Sequence, residues 1–511
     1  MIDASRQDLV LGVVGAGTMG RGIAQVAAAG GIQVLLTDAR PEAIADACQF
    51  IAKMLNRAAE KGTIPASQAN EAIGRVRAVE NLQDFSACHV VIEAVAEDLE
   101  VKQDVFCRIE TIVGDDCILA SNTSAIPITS IAANCKRPQR IAGTHFFNPV
   151  PLMKLVEIID GALTEPTVGD ALTILGRRMG REPVRCTDFP GFLAGNIGRG
   201  FTLEAAHIVE EGVSTFADVD SIMRDVVGFP MGPFQLIDNN GADIVHRAME
   251  SVYEGFYQEP YFRPSAMIRQ RVIAGLLGRK SGRGFFQYQD GKTVSTEEPK
   301  AIPTNRPRSV WVSPVEPACA QALKELLESL GAKLETGAQP SASALCMVTP
   351  IGEDATTSVL NQKLDAQRTV AIDALFGFAK RRTCMVTPAT SKETVLEAAG
   401  LLSADGVPTT VIQDSPGFVA QRIVAMIVNI GCWIAQSGFA SPEDIEKAAR
   451  YGLGYPKGSF GFADHIGVQR ILLILNAAQI RTGDPRYRPS PWLSRRGELH
   501  GPLAINNYSK S

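Results

Sequence analysis

No two of the ten cysteines in this 511-residue chain stand as close as CxxC. Their scatter (48, 88, 107, 117, 135, 186, 319, 346, 384 and 432) excludes a clustered zinc site and a disulfide framework. It points to reduced, mostly buried thiols in a cytoplasmic protein. No block of five or six like charges occurs, and the net charge is only −5, so no nucleic-acid surface is expected. No uninterrupted apolar run of about 18 residues is present, so no membrane span is expected either. The opening residues, MIDASRQDLVLGVVGAG, place no basic stretch before their apolar run, which is not a signal-peptide layout. What remains is ordinary globular composition, 45% hydrophobic and 21% charged, in a chain long enough for about three or four domains.

The first informative stretch is Leu9 to Asp38. Leu9 to Val14 is fully apolar, as expected of a buried parallel strand. It runs into Gly15-Ala16-Gly17-Thr18-Met19-Gly20, then a small-residue helix, then a second strand that ends at Asp38. A GxGxxG alone is weak; following a strand, opening a helix and preceding a strand-end acid, it is a dinucleotide site. Gly15 permits the tight turn, Gly17 lets a pyrophosphate reach the backbone, and Gly20 lets helix and strand pack closely. The helix N-terminus supplies amides to the phosphate. Asp38 suits a ribose diol and repels a 2′-phosphate, which favours NAD; Arg40 close by leaves NADP open.

Two further strands are expected at His89 to Ala94 and Cys117 to Ser121. The latter runs into Ser121-Asn122-Thr123-Ser124, hydroxyls and an amide at a strand end where open α/β sheets bind ligands. The same residues could equally cap a following helix. Arg140 to Glu157 then reads strand, loop, strand, with His145 and Glu157 on the two flanks. A carboxylate in an apolar strand is costly to bury unpaired. A general base and the group that orients it would answer to this pattern, and so would a loop His and an edge Glu that never meet.

As a set, VVGAGTMGRGIAQVAA, the Asp38 strand end, IEAVAEDLEVKQDVF, ASNTSAIPITSIA, HFFNPVPLMKLVEI, DFPGF and GLLGRKSGRGFFQY resemble the L-3-hydroxyacyl-CoA dehydrogenases, in family order over residues 9–288. The resemblance implies an α/β plus all-α architecture: an N-terminal Rossmann doubly wound sheet followed by a helical domain. It implies NAD as cofactor and an acyl-CoA as substrate. His145 would be the general base toward the substrate 3-hydroxyl, Glu157 its orienting partner, and Ser124 a hydrogen-bond donor to the reacting oxygen. Gly15, Gly17, Thr18, Met19, Gly20, Asp38, Glu97, Lys102, Asn148 and Lys280 would line the NAD site. Lys61 would meet the anionic part of CoA. Met54 departs from the pattern where a serine can stand. So does Gly195, which occupies the place of a substrate-facing Asn; Asn196 follows one residue later, about 100° round a helix, and is the candidate in its stead. A gulonate-type sugar-acid dehydrogenase or a crystallin-like non-enzyme of the same superfamily are the competing readings; the first is disfavoured by Lys61 and the duplicated architecture, the second by intact His145, Glu157 and Asp38.

From Phe189 strand signals give way to helices, and the text then repeats. Asp188, Pro190, Gly191, Gly232, Phe234 and Asp238 recur as Asp414, Pro416, Gly417, Gly458, Phe460 and Asp464, always 226 residues on. One gapless offset indicates duplication. The expected layout is a nucleotide domain (1–188), a helical domain (189–288), a linker (289–308), a degenerate second Rossmann-like unit (309–413) and a second helical domain (414–511). In the degenerate unit, VWVSPVEP is expected to replace VVGAGTMG and Cys384 to Pro388 to replace His145 to Pro149. One active site per chain follows. The chain would be a monomer or homo-oligomer, its two helical domains imitating a dimer contact. The substrates implied are short-chain or dicarboxylyl, 3-hydroxybutyryl-CoA or 3-hydroxyadipyl-CoA, from fatty acid or phenylacetate catabolism.

Overall fold

A computed structural model describes residues 3–294 and 303–504; part of the expected linker lies outside the described residues. Eight strands build the first sheet: β1 (Val10–Val14), β2 (Gln33–Thr37), β3 (Val76–Ala78), β4 (Val90–Glu93), β5 (Ile118–Ser121), β6 (Ile141–Phe146), β7 (Leu155–Asp160) and β8 (Glu182–Thr187). Their order is β3-β2-β1-β4-β5-β6-β7-β8. Every neighbour pair is parallel except β6 with β7. The exception has a simple cause: the link from Phe146 to Leu155 is too short for the crossover of a dozen or more residues that a parallel partner needs. Strands β4 and β5 are buried at every position, as apolar strands covered on both faces should be.

The chain divides into two compact units, Met1–Gly195 with Ser437–Leu453, and Asn196–Gln436 with Gly454–Ser511. The sequence boundaries assign 437–453 to the second helical domain, yet this segment belongs to the first unit. There Ala440 bridges to Cys186, Thr187 N donates to Phe439 O (2.9 Å), and the Phe439 ring stacks on Phe189 at 4.3 Å. The edge of β8 is thereby covered rather than left as a template for unwanted pairing.

Three groups of elements make up the second unit. A hairpin of β9 (Gln287–Gln289) and β10 (Lys292–Val294) closes the first helical region. A five-stranded sheet follows: β11 (Val310–Val312), β12 (Leu345–Val348), β13 (Thr369–Ile372), β14 (Arg382–Val386) and β15 (Thr409–Ile412), in sequential order. Its pairs are parallel, parallel, antiparallel and parallel. That is the pattern of β4-β5-β6-β7-β8. The register agrees: Val156 pairs with Pro183 in the first sheet, and Arg382 with Thr409, each 226 residues on, in the second.

This corrects the sequence expectation. Val310–Val312 corresponds to β4, not to β1, so the phosphate-binding half of the fold is missing rather than degenerate: no counterpart of β1 to β3 exists among the described residues. Cys384 to Pro388 lies on or after β14, the counterpart of β7, and cannot stand for His145. On the register Ile372 opposite Cys384, continued by Asp373 N donating to Thr383 O (3.1 Å), Asp373 takes the place of His145 and Thr383 that of Glu157. Composition hid this, because short apolar strands look alike when their neighbours are unknown.

The two helical copies pack on one another inside this unit with reciprocal contacts. Arg263 pairs with Asp484, and Arg488 with Glu259 at 2.7 Å; each partner lies 225 residues from its equivalent. Two copies exchanging the same contact is the mark of a two-fold interface. At its centre Arg422 is fully buried and bonded to Glu204 (2.8 Å), Glu211 (2.8 Å), Ser415 Oγ (2.9 Å) and the Tyr487 hydroxyl. The helix that carries it, Val419–Gln436, has a mean hydropathy of 1.3 and is long enough to span a bilayer, but 89% of it is buried in protein. It is a core helix, and Gln421, Arg422 and Asn429 interrupt its apolar run.

Candidate active site

Strands β1, β2, β4, β5 and β6 run parallel, so their carboxyl ends lie along one edge of the first sheet. Gly15 has φ +102°, and a Cβ there would sit 2.5 Å from Ala94 O. At Gly20 a Cβ would fall 1.7 Å from Gly15 O, so the loop closes on helix α1 (Thr18–Ala29) only without side chains. Gly17 is different: a Cβ there meets nothing within 4 Å. It precedes α1 without a side-chain cap, which leaves the first-turn amides pointing outward. Thr18 is exposed and Met19 half-buried beside it. Asp38 Oδ2 accepts from Ala16 N (2.8 Å) and Oδ1 from Arg40 N (3.0 Å), so the acid is fixed at the rim of the loop. Open space over Gly17, uncapped amides and a fixed carboxylate fit the pyrophosphate and ribose of a dinucleotide.

The Ser121–Ser124 run is organised by carboxylates. Glu97 Oε1 accepts from Thr123 Oγ1 (2.8 Å), Ser124 N (2.8 Å), Ser124 Oγ (3.2 Å) and Ala125 N (3.1 Å). Burial would raise its pKa, but the Thr123 hydroxyl, the Lys102 charge and the Ser124 amide outweigh this and hold it below the usual range. Lys102 departs from expectation. It is 1% exposed, with its ammonium 2.8 Å from Glu93 and 3.3 Å from Glu97. It neutralises Glu93, buried at the end of β4, and braces Glu97, so its place is behind the site wall rather than on the cofactor. A carboxylate ending an apolar strand was the signal for such a partner. Ser124 is exposed, as a substrate contact requires.

His145 and Glu157 face each other directly across the antiparallel pair β6–β7. His145 Nδ1 lies 2.6 Å from Glu157 Oε2. The other oxygen, Oε1, accepts from Ala194 N at 2.6 Å. Glu157 is 1% exposed and His145 16%. With the carboxylate accepting, Nδ1 carries the hydrogen and Nε2 keeps its lone pair. The Phe147 and Phe192 rings stand 4.5 and 6.0 Å from the imidazole and limit its rotation. Asn122 Oδ1 accepts from Phe146 N (2.9 Å), tying β6 to the Ser121–Ser124 turn.

The remaining expected residues divide. Asn148 and Lys61 are exposed on the first unit. Lys280 belongs to the second unit and is paired there with Asp243 at 2.5 Å. Asn196 is 0% exposed, whereas a Cβ on Gly195 would meet open space. Helix α2 (Phe192–Glu210) thus turns Asn196 to a different face, and the open side belongs to Gly195. In the second copy this corner is closed from within. Gln421, 226 residues after Gly195, donates to Asp373 Oδ1 (3.0 Å) and to Pro350 O (3.3 Å), and accepts from Gly352 N (2.9 Å).

A family model described as the NAD binding domain of 3-hydroxyacyl-CoA dehydrogenase matches residues 10–189, and its C-terminal domain matches 191–288 and again 417–501. The chain is 35% identical over 487 residues to the 3-hydroxyadipyl-CoA dehydrogenase of Escherichia coli K12, covering 95% of this chain and 97% of that one. It is 42% identical over 277 residues to a probable 3-hydroxybutyryl-CoA dehydrogenase of Deinococcus radiodurans, covering 54% of this chain and 99% of the relative. A crystal structure of 3-hydroxybutyryl-CoA dehydrogenase from E. coli K12 superposes with a TM-score of 0.83 at 33% identity, over 96% of this chain and 98% of that one. The dinucleotide loop, the paired His145 and Glu157, and the twice-matched helical domain place this chain in the 3-hydroxyacyl-CoA dehydrogenase family.

Proposed function

We propose that the chain catalyses reversible, NAD-dependent oxidation of an L-3-hydroxyacyl-CoA to the 3-oxoacyl-CoA, with His145 as general base. The observation that carries this reading is the 2.6 Å contact between His145 Nδ1 and a carboxylate that is itself anchored on Ala194 N. NAD, when bound, accepts the hydride that leaves C3. His145 Nε2, the free ring nitrogen, takes the proton of the 3-hydroxyl. Glu157 holds the tautomer that makes this possible and stabilises the imidazolium that forms. With substrate bound, the Ser124 hydroxyl turns from Glu97 to donate to the reacting oxygen, while Glu97 still fixes the loop through the Thr123 hydroxyl and the Ser124 and Ala125 amides. Gly15, Gly17, Gly20 and Asp38 bind the dinucleotide. Asp373 and Gln421 fill the equivalent corner of the second copy, so each chain works with one site.

Consumption of NADH with acetoacetyl-CoA, set beside free acetoacetate, tests the substrate class. Turnover of the CoA ester, with free acetoacetate poor and NADPH inferior to NADH, is expected. No turnover of any CoA ester would end the proposal, and equal turnover of the free acid would assign the chain to a sugar-acid type of chemistry.

A further inference from the structure

One cavity lies wholly within the second unit. Its volume is about 760 Å³, large enough for a whole organic ligand rather than a single ion. Phe216, Arg224, Gln235, Arg271, Arg283 and Phe286 are among the residues that line it, and no aspartate or glutamate is.

The wall of the cavity is built on a buried carboxylate. Asp238, 1% exposed, accepts from Phe285 N (2.9 Å), Phe286 N (2.9 Å) and the Tyr288 hydroxyl (3.0 Å). Gly284 passes so close that a Cβ would come within 2.1 Å of Asp238 Oδ1, which fixes the chain between Arg283 and Phe285. The helix Ala266–Ile273, capped by Ser265, brings Arg271 to the same wall. Arg271 Nη1 donates to Gly284 O (2.9 Å), and the guanidinium lies over the Phe285 ring at 4.1 Å. The helix Phe216–Ile222 and the turn that follows it supply Phe216 and Arg224.

Three guanidiniums thus share one cavity without a counter-charge. Among the described residues no carboxylate lies within ion-pair distance of Arg224, Arg271 or Arg283. Asp238 is committed to the wall through both oxygens. Burial draws Arg271 below the usual arginine pKa, with Asp238 opposing and the Arg283 charge adding to the shift. Arg271 Nε is buried and makes no hydrogen bond. With Nη1 held by Gly284, the Nε edge is the one left to grip an oxyanion. Like charges gathered in this way repel, so a polyanion bound among them relieves the wall that holds it.

The rest of the lining is aromatic and amide. The Phe216 and Phe286 rings are half-buried and stand edge to face, 5.5 Å apart at 86°. A half-buried ring offers a face on which a planar base can stack. Gln235, held by its backbone amide on Asp220 Oδ2 (2.9 Å), adds a side chain that both donates and accepts.

We propose that this cavity binds a nucleoside di- or triphosphate, at a site separate from those of the cofactor and the acyl-CoA. Arg224, Arg271 and Arg283 hold the phosphates, and Phe216, Phe286 and Gln235 receive the base. A lone phosphate would leave the aromatic part empty, and an uncharged ligand would leave the guanidiniums without a counter-charge.

Calorimetric titration of the full chain with ATP, AMP and inorganic tripolyphosphate tests this, with NAD kept saturating so that the dinucleotide site is filled. One ATP per chain is expected, with AMP and tripolyphosphate each at least about 10-fold weaker. Arg271→Met and Arg283→Met should each weaken ATP by about 10- to 100-fold. Arg283 is exposed, so its variant keeps the fold and reports on binding alone. Phe286→Leu should weaken ATP and leave tripolyphosphate unchanged. Absence of saturable ATP binding, tripolyphosphate binding as tightly as ATP, or unchanged affinity in both arginine variants would overturn the proposal. So would displacement of ATP by acetoacetyl-CoA, which does not turn over with NAD and would assign the cavity to the substrate.

Discussion

Replacing Glu157 by glutamine isolates what the carboxylate does. Both of its oxygens are acceptors at 2.6 Å, Oε2 toward His145 Nδ1 and Oε1 toward Ala194 N. A glutamine in the same rotamer has one acceptor and one donor. If its oxygen stays on Ala194 N, its NH2 meets Nδ1, which must then be the acceptor, and the proton moves to Nε2, where the base is needed. If it flips, NH2 opposes the Ala194 amide, two donors at contact distance. Either state forfeits the productive tautomer or leaves a buried group unsatisfied, at about 1–3 kcal/mol for the latter. Loss of a positioned base contributes about 10²- to 10⁴-fold, equivalent to roughly 3–5 kcal/mol of barrier. The expected outcome is a fall of that size in kcat for acetoacetyl-CoA reduction. NADH affinity should be unchanged, because at 1% exposure Glu157 touches no ligand. A Glu157→Gln enzyme within about threefold of wild-type kcat would refute the role assigned to the pair.

The glycine loop makes paired predictions: Gly17→Val should keep Tm but raise the Kd for NADH, measured by fluorescence titration, since its side chain enters open space. Gly20→Ala should lower Tm, because its Cβ would lie 1.7 Å from Gly15 O. Arg422→Met leaves Glu204, 1% exposed, short of its main counter-charge and should destabilise by about 3–5 kcal/mol in denaturant titration, with Glu204→Gln less than additive to it. Asp373 is raised to about 6, chiefly by burial. The folded state therefore holds this proton more tightly than the unfolded chain, so its contribution is full below about pH 4 and is lost as pH rises through about 6, up to roughly 3 kcal/mol. Relative to wild type, Asp373→Asn should gain stability over that window and none below it.

The nucleotide half was legible because its requirements are local. A tight turn, a backbone approach and a strand-end acid each need a particular residue at a particular step, and Gly15, Gly17, Gly20 and Asp38 stand at those steps. The duplication was legible for the same reason, through identities at one offset. Pairing was not. Whether His145 meets Glu157 depends on the antiparallel turn between β6 and β7, which no spacing specifies. The same blindness aligned Cys384 with His145, where register gives Asp373, and sent Lys102 to the cofactor, where burial gives it to Glu93. Segment 437–453 belongs to the first unit because its Phe439 stacks on Phe189, a contact between residues far apart in the chain.

The central proposal is that removal of the 3-hydroxyl proton, as hydride leaves C3, falls to His145 alone, once per chain. The most direct measurement is single-turnover hydride transfer from an L-3-hydroxyacyl-CoA to NAD in wild type and in His145→Ala, with NADH binding measured on both. One NADH per chain is expected in each protein, with a rate lower by about 10²- to 10⁴-fold in the variant. A His145→Ala protein that binds NADH normally and transfers hydride at close to the wild-type rate would contradict it.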